Sequence, residues 1–194
     1  MCMKDIPKGA HGRALLYKKA CMLTGADFWH SRGWEEEGIA PLRFADGPHG
    51  LRVQAGGTYN FDLKNSLPAT CFPTLAALGC SWNGELVRAA GERLGEEAAY
   101  FGVNVLLGPG VNIKRNPLCG RNFEYLSEDA YLAGELAANY VRGVQSEGVA
   151  CCVKHFCCNN REWARTVYSS NVSARALREI YLAPFEAAVR RGGA

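Results

Sequence analysis

The sequence has no apolar run approaching the roughly 18 residues that identify a membrane-spanning helix. Its opening stretch, M-C-M-K-D-I-P-K-G-A-H-G, also lacks the apolar centre of a signal peptide. The expected compartment is therefore the cytoplasm, with no membrane partner. Excess charge is equally scarce. Lys and Arg number 22 against 19 Asp and Glu, a formal net charge of +3. The basic residues are scattered among acids rather than gathered into a patch, which argues against a nucleic-acid partner. Neither G-x-G-x-x-G nor G-x-x-x-x-G-K-[ST] occurs, so the dinucleotide and P-loop readings lose their main support and no cofactor is expected. Histidine is rare, at four residues. The nine cysteines (Cys2, Cys21, Cys71, Cys80, Cys119, Cys151, Cys152, Cys157 and Cys158) show no repeated zinc-type spacing. Adjacent cysteines on a strand point to opposite faces and do not easily share a metal. They read as small, reduced residues standing where Ala or Ser would also fit, with no metal expected.

What is present is an ordinary globular composition, 48% hydrophobic and 21% charged, in a chain of one domain's length. Periodicity divides most of it into alternating elements. Ala14 to Thr24 reads as a helix stopped by Gly25. Pro41–Ala45 reads as a strand ending in the turn signals of Asp46-Gly47-Pro48-His49-Gly50. Residues 52–70 read as a polar loop, and Leu75–Cys80 as a short apolar segment, taken as a strand. Asn83 is placed to cap a helix with Leu86, Ala90, Leu94, Ala98 and Phe101 inward. Val103–Leu107 is the next strand. A long connection rich in Phe123, Tyr125 and Leu126 then runs to Asp129, which caps a helix facing inward through Leu132, Leu136, Tyr140, Val141 and Val144. Val149–Val153, bounded by Gly148, reads as a buried parallel strand. Ser173 caps a last helix with Leu177, Ile180, Tyr181, Phe185 and Val189 inward, kinked or divided at Pro184. The β-α-β-α-β-α order predicts a parallel sheet with right-handed crossovers.

Polar residues gather after the strands, at Asp46, between Asn112 and Glu124, and from Lys154 to Asn160. That edge is where open α/β sheets and (β/α)8 barrels bind ligands. A Lys, a His, an Arg, an Asp and several amides together form a dense set of donors and acceptors. A polyhydroxylated substrate needs such a set. Trp29, Trp34 and Trp163 are candidates for an apolar stacking face. Plainer readings compete: Arg121 and Glu124 either serve a ligand or only pair with each other, and His155 is either a pocket residue or a satisfied core histidine.

Five motifs carry a resemblance. They are D-G-P-H-G-L-R (46–52), C-F-P-T-x-x-A-L (71–78), G-P-G-V-N-I-K-R-N-P-L-C-G-R-N-F-E-Y-L-S-E-D (108–129), K-H-F-x-x-N-N-x-E (154–162) and L-R-E-I-Y-L-x-P-F-E (177–186). In this order they resemble the N-terminal half of a bacterial β-glucosidase of glycoside hydrolase family 3. The resemblance spans about residues 25–194 and leaves 1–24 as a poorly matched N-terminal segment. It implies an α/β fold, the first half of a (β/α)8 TIM-type barrel, with a terminal non-reducing β-D-glucosyl unit bound at the strand ends. The ligand would be a small β-glucoside or oligosaccharide. By the same resemblance Asp46 accepts bonds from sugar hydroxyls, Arg121, Lys154 and His155 are basic sugar-binding residues, and Arg165 stands where a further pocket arginine is expected. The implied reaction is retaining hydrolysis by two carboxylates roughly 5–5.5 Å apart.

The departures matter as much. The family's nucleophile is an aspartate in an S-D-W-like motif after a later strand, and no S-D-W occurs in this sequence. The nucleophile and the acid/base glutamate are therefore expected beyond residue 194, and the chain is expected to need the remainder of the barrel. Ala130 replaces a proline of the family pattern, and Cys157-Cys158 replace small residues. A non-catalytic sugar-binding pseudoenzyme module, or a β-xylosidase or arabinosidase of the same family, are the alternatives. Asp46 and Glu124 are also the right residue types for a catalytic pair, although the resemblance gives Asp46 a binding role.

Overall fold

The computed structural model describes residues 10–55 and 65–194. The Gly56-Gly57 loop and Cys2 lie outside the described residues. The sheet is three-stranded and parallel in the order β1 (Phe44–Asp46), β2 (Val105–Leu107) and β3 (Ala150–Cys151). Ala45 faces Leu106, and Leu106 faces Cys151 across the ladder. Each crossover is helical. Between β1 and β2 lie α2 (Leu75–Cys80) and α3 (Gly84–Tyr100), and between β2 and β3 lies α4 (Ala130–Ser146). Helix α1 (Ala10–Met22) precedes the sheet. After β3, the chain ends in α5 (Ala174–Ala176), a π-helical stretch Leu177–Tyr181, α6 (Ala183–Ala187) and a second π-helical stretch Ala188–Gly192. The α/β class, with strands and helices ordered as in part of a (β/α)8 barrel, is as expected from the sequence.

Local chemistry explains most boundaries. Asn83 Oδ1 accepts the N–H groups of Glu85 and Leu86, both at 3.0 Å, and opens α3. Asp129 Oδ1 accepts the Leu132 N–H at 2.6 Å and opens α4. Ser173 Oγ accepts the Ala176 N–H at 3.2 Å and opens α5. Gly102 and Gly148 follow α3 and α4 with φ of +68° and +78°, the left-handed region that stops a helix.

Three expectations are corrected. Leu75–Cys80 is a helix, not a strand. A six-residue apolar run does not distinguish the two by periodicity, but Thr74 caps this one, its Oγ1 accepting the Ala77 N–H at 3.2 Å. The inward face of α3 is Val87, Gly91, Leu94, Gly95 and Ala98, and Leu86 is exposed. Hydrophobic periodicity misses a face built partly from glycine. Here α3 and α4 lie so close that a Cβ at Gly91 would stand 2.6 Å from Tyr140 O, and one at Gly143 would stand 2.2 Å from Arg88 O. In the last helix Phe185 is buried as expected, but Ile180 and Val189 are exposed. Pro184 divides the helix, and the π-helical stretches on either side rotate the inward face off the regular period.

The core is continuous from Ala45 and Leu106 of the sheet through Leu75, Leu94, Leu136, Val141 and Val144 of the helices. One buried polar group ties this core to the site. Tyr140 in α4 donates its hydroxyl to the Pro48 carbonyl at 2.7 Å. Burial pushes its pKa well above the ordinary tyrosine value, so it remains a donor. Tyr140→Phe strands the Pro48 carbonyl and is expected to destabilise the fold by about 1–2 kcal/mol, read as a shift in the urea midpoint. An unchanged midpoint would show that water replaces the tyrosine.

Candidate functional site

Each strand delivers a polar residue to the same edge. β1 ends at Asp46, and the chain turns at once through Gly47, whose φ is +113°. A Cβ on Gly47 would stand 1.8 Å from the Gly50 carbonyl oxygen, so the turn requires glycine. Arg52 returns across it, its backbone N–H donating to Asp46 O at 2.9 Å and its NH2 group to Asp46 Oδ2 at 3.1 Å. Beyond β2, Gly110 runs between two neighbours, bridging to Tyr125 on one side and to Lys154 on the other. A Cβ there would meet Glu124 O at 2.3 Å, so this glycine lets the Glu124 and Lys154 segments close together. Beyond β3, the buried Asn112 clamps the next backbone unit. Its Nδ2 donates to His155 O at 3.0 Å, and its Oδ1 accepts the His155 N–H at 2.7 Å.

The side chains then interlock. Lys154 Nζ stands 2.5 Å from Asp46 Oδ1 and 3.7 Å from Glu124 Oε2. Arg121 donates through Nε to Glu124 Oε1 at 2.5 Å and through an NH2 group to His155 Nε2 at 2.5 Å, and lies 3.5 Å from Glu162 Oε1. His155 Nδ1 lies 3.3 Å from Tyr125 Oη, which donates to Asn159 O at 3.2 Å and accepts from Asn159 Nδ2 at 3.2 Å. Asn159 Nδ2 also donates to Glu162 at 3.0 Å. Cations and anions alternate along this chain of contacts, which suits recognition of a ligand bearing many hydroxyls.

Two protonation states follow. Burial alone would push the Asp46 carboxyl up. The Lys154 ammonium, the Gly47 N–H and Arg52 outweigh it and hold Asp46 below its ordinary value, so it is an anion at neutral pH. Burial, then the Arg121 and Lys154 cations, depress His155 from 6.5 to about 4. It is therefore neutral at pH 7. The network assigns Nε2 as acceptor from Arg121 and Nδ1–H as donor to Tyr125. Because the folded value lies below the unfolded one, His155 contributes stability above about pH 6.5 that is lost as pH falls towards 4. His155→Gln is accordingly expected to flatten the fall of the urea midpoint between about pH 7 and 5. An equal fall in both proteins would overturn this assignment.

Four of the five residues singled out in the sequence, Asp46, Arg121, Lys154 and His155, meet in this network. Arg165 joins it only at its edge, through Glu162. Its guanidinium is half-exposed and lies 3.5 Å from Glu162 Oε2, the carboxylate that also faces Arg121. Arg121 and Glu124 do pair with each other, and Glu124 also faces Lys154, so the pair is joined to the rest of the network. The three tryptophans do not form one face. Lys18 of α1 lies over Trp34, Trp163 stacks on Arg161, and Trp29 accepts the Phe44 N–H on its carbonyl beside β1. Residues not assigned to the site from sequence are Arg52, Asn112, Tyr125 and Glu162. Their common signal is position, since all four lie inside the motifs quoted above, Arg52 in 46–52, Asn112 and Tyr125 in 108–129 and Glu162 in 154–162.

Comparison with known proteins identifies the family. A family described as glycosyl hydrolase family 3 N terminal domain matches residues 59–194. Thermostable beta-glucosidase B of Acetivibrio thermocellus is 54% identical over 176 residues, covering 91% of this chain and 23% of that protein. An exo-alpha-(1->6)-L-arabinopyranosidase of Bifidobacterium longum is 51% identical over 177 residues, with the same 91% and 23% coverage. Among solved structures, beta-glucosidase 3B of Thermotoga neapolitana in complex with alpha-D-glucose superposes with a TM-score of 0.82 at 42% identity, covering 91% of this chain and 26% of that one. The chain thus spans about a quarter of the length of these relatives. With a family match over more than two thirds of its residues, the chain belongs to glycosyl hydrolase family 3, and it is the family's N-terminal domain that it matches.

Proposed function

We propose that this chain supplies the glucosyl-holding half of a retaining β-glucosidase site, and that alone it binds a terminal β-D-glucosyl unit without cleaving it. The observation that carries this reading is the convergence of Asp46, Lys154, Glu124, Arg121 and His155 into one charge-alternating network at the strand ends. In the reading, Asp46 accepts sugar hydroxyls, while Lys154, Arg121 and His155 orient them. Arg165 approaches from the outer side of Glu162. Residues 25–194 act as one unit in this role. Asp46 and Glu124 are poorly placed to act as the catalytic pair, because the same ammonium of Lys154 lies against both. The nucleophile and the acid/base are assigned to residues outside this sequence, which contains no S-D-W.

The purified chain should bind D-glucose in ligand-observed NMR, lose that binding on Asp46→Asn, and leave an aryl β-glucoside intact. Turnover at the rate of an intact family enzyme would sink the assignment of the nucleophile to another segment. Glucose binding unaffected by Asp46→Asn would sink the site itself. A second glycone has a specific basis in the arabinopyranosidase at 51% identity. Competition between D-glucose and L-arabinose in the same experiment decides between them.

A further inference from the structure

The chain carries two pairs of adjacent cysteines, and the structure treats them differently. Cys151 ends β3 and Cys152 follows it in extended register, so their side chains leave on opposite faces. Cys157 and Cys158 lie on a turn. Cys158 has φ of +64°, in the left-handed region, and the chain folds back there. Both sulfurs emerge on one side, and the Cys158 thiol donates to Cys157 Sγ at 3.8 Å. All described cysteines are free thiols.

The surroundings give Cys158 an approach path. Cys158 forms part of the wall of a cavity of about 230 Å³, with Arg115, Arg161, Tyr168, Ser170 and Tyr181. No acidic side chain lines it. Arg115 donates to Tyr181 Oη at 3.2 Å, and Arg161 lies flat over the Tyr168 ring at 5.4 Å. The mouth is therefore cationic and rich in hydroxyl and amide groups, which suits a small ligand bearing carboxylates. Ser170 Oγ donates to the Cys158 carbonyl at 3.3 Å and ties the cavity wall to the cysteine turn.

We propose that Cys157 and Cys158 form a reactive dithiol site that exchanges with an anionic small-molecule disulfide of the glutathione type, admitted by Arg115 and Arg161, and closes to a vicinal disulfide. A thiolate of the pair attacks one sulfur of the glutathione disulfide. A mixed disulfide forms and one glutathione thiolate leaves. The neighbouring thiol gives its proton to solvent, attacks the protein sulfur of the mixed disulfide and displaces the second glutathione. Overall, one dithiol and one disulfide become one disulfide and two thiols. A ring between adjacent residues is strained relative to an ordinary disulfide, so it reopens readily under a reducing thiol. Burial and the neighbouring Cys157 raise the Cys158 thiol to about 11, with Arg115 pulling against them, so the exchange runs best in mildly alkaline solution. The turn also carries Asn159 towards Tyr125 and Glu162. Any effect of closure on sugar binding rests on the reading above, but the disulfide itself does not.

Trypsin separates the two pairs, placing Cys151-Cys152 and Cys157-Cys158 on the peptides Gly143–Lys154 and His155–Arg161. After exposure of the folded chain to glutathione disulfide and alkylation, mass spectrometry should find His155–Arg161 unalkylated and lighter by a pair of hydrogen atoms. Gly143–Lys154 should be fully alkylated. Cystamine, a cationic disulfide, should react roughly tenfold more slowly, and Arg115→Gln should remove most of that preference. Cys157→Ser should stop the reaction at a glutathione adduct on Cys158. Recovery of His155–Arg161 with both cysteines alkylated, or with glutathione retained and no ring formed, would overturn the proposal. Equal rates for the two disulfides would overturn the role of the arginines.

Discussion

Lys154→Met is expected to destabilise the fold by about 2–4 kcal/mol and to abolish glucose binding, the largest loss from any single change at the site. Methionine keeps the apolar stem and removes the ammonium. What remains is Asp46 facing Glu124 with no cation between them, each held only by its other partner, Arg52 on Asp46 and Arg121 on Glu124. The magnitude comes from repulsion between the two carboxylates across the vacated position together with the lost attraction to the ammonium, and the remaining guanidinium partners offset part of it. Partial exposure of Asp46 keeps the figure below the upper limit for a fully buried pair. The double change Lys154→Met with Asp46→Asn separates the two contributions. It should recover part of the stability, since the repulsion between the two carboxylates is gone, and none of the glucose binding. Urea midpoints of the four proteins in this cycle give the coupling directly. A Lys154→Met protein as stable as the parent, with glucose binding intact, would show that solvent already neutralises both carboxylates.

Legibility of the site in the sequence follows from the same physics. Asp46, Lys154 and His155 were visible because each stands where an apolar run stops, and a charged residue there is poorly suited to a core. Arg121 was visible because it lies in a long, well-anchored loop and in the G-R-N-F-E motif. Asn112 and Tyr125 were not assignable, because their roles are made by long-range pairing. Asn112 reaches the backbone of a residue 43 positions away, and Tyr125 Oη reaches one 34 positions away. No local pattern encodes such a distance. The helices behaved similarly. Capping residues Asn83, Asp129 and Ser173 marked three starts, since the side-chain oxygen and the N–H it accepts lie two or three residues apart. Leu75–Cys80 was misread because its cap, Thr74, lies behind an apolar run too short to show a period. On α3, Leu94 and Ala98 are buried and Ala90 and Phe101 pack against the core as expected. Val87, however, takes the place given to Leu86, and Gly91 and Gly95 were missed because glycine carries no hydrophobic signal while occupying the tightest part of the interface.

That interface gives the second large effect. Gly143→Ala is expected to destabilise the chain by about 2–3 kcal/mol, even though alanine favours a helix interior by about 1 kcal/mol over glycine. The new methyl group would stand 2.2 Å from Arg88 O and 2.9 Å from Glu92 N, both backbone atoms of α3. Neither atom can rotate away, so the two helices must separate. Tyr140 lies one turn earlier on α4, and its hydroxyl holds Pro48 in the turn that follows Asp46. Separation of α3 from α4 therefore reaches the strand-end edge proposed to hold the sugar, and glucose binding should weaken together with stability. Gly148→Ala is the control. Nothing lies within 4 Å of a Cβ there, and its φ is +78°. The only penalty is the left-handed backbone, about 1 kcal/mol, confined to the residue after α4. Stability should fall modestly and glucose affinity should not change. If both substitutions lower stability equally and leave binding alone, the path from the α3–α4 contact through Tyr140 to Asp46 does not operate. If only Gly143→Ala impairs binding, the close helix contact is what holds the Asp46 turn in place.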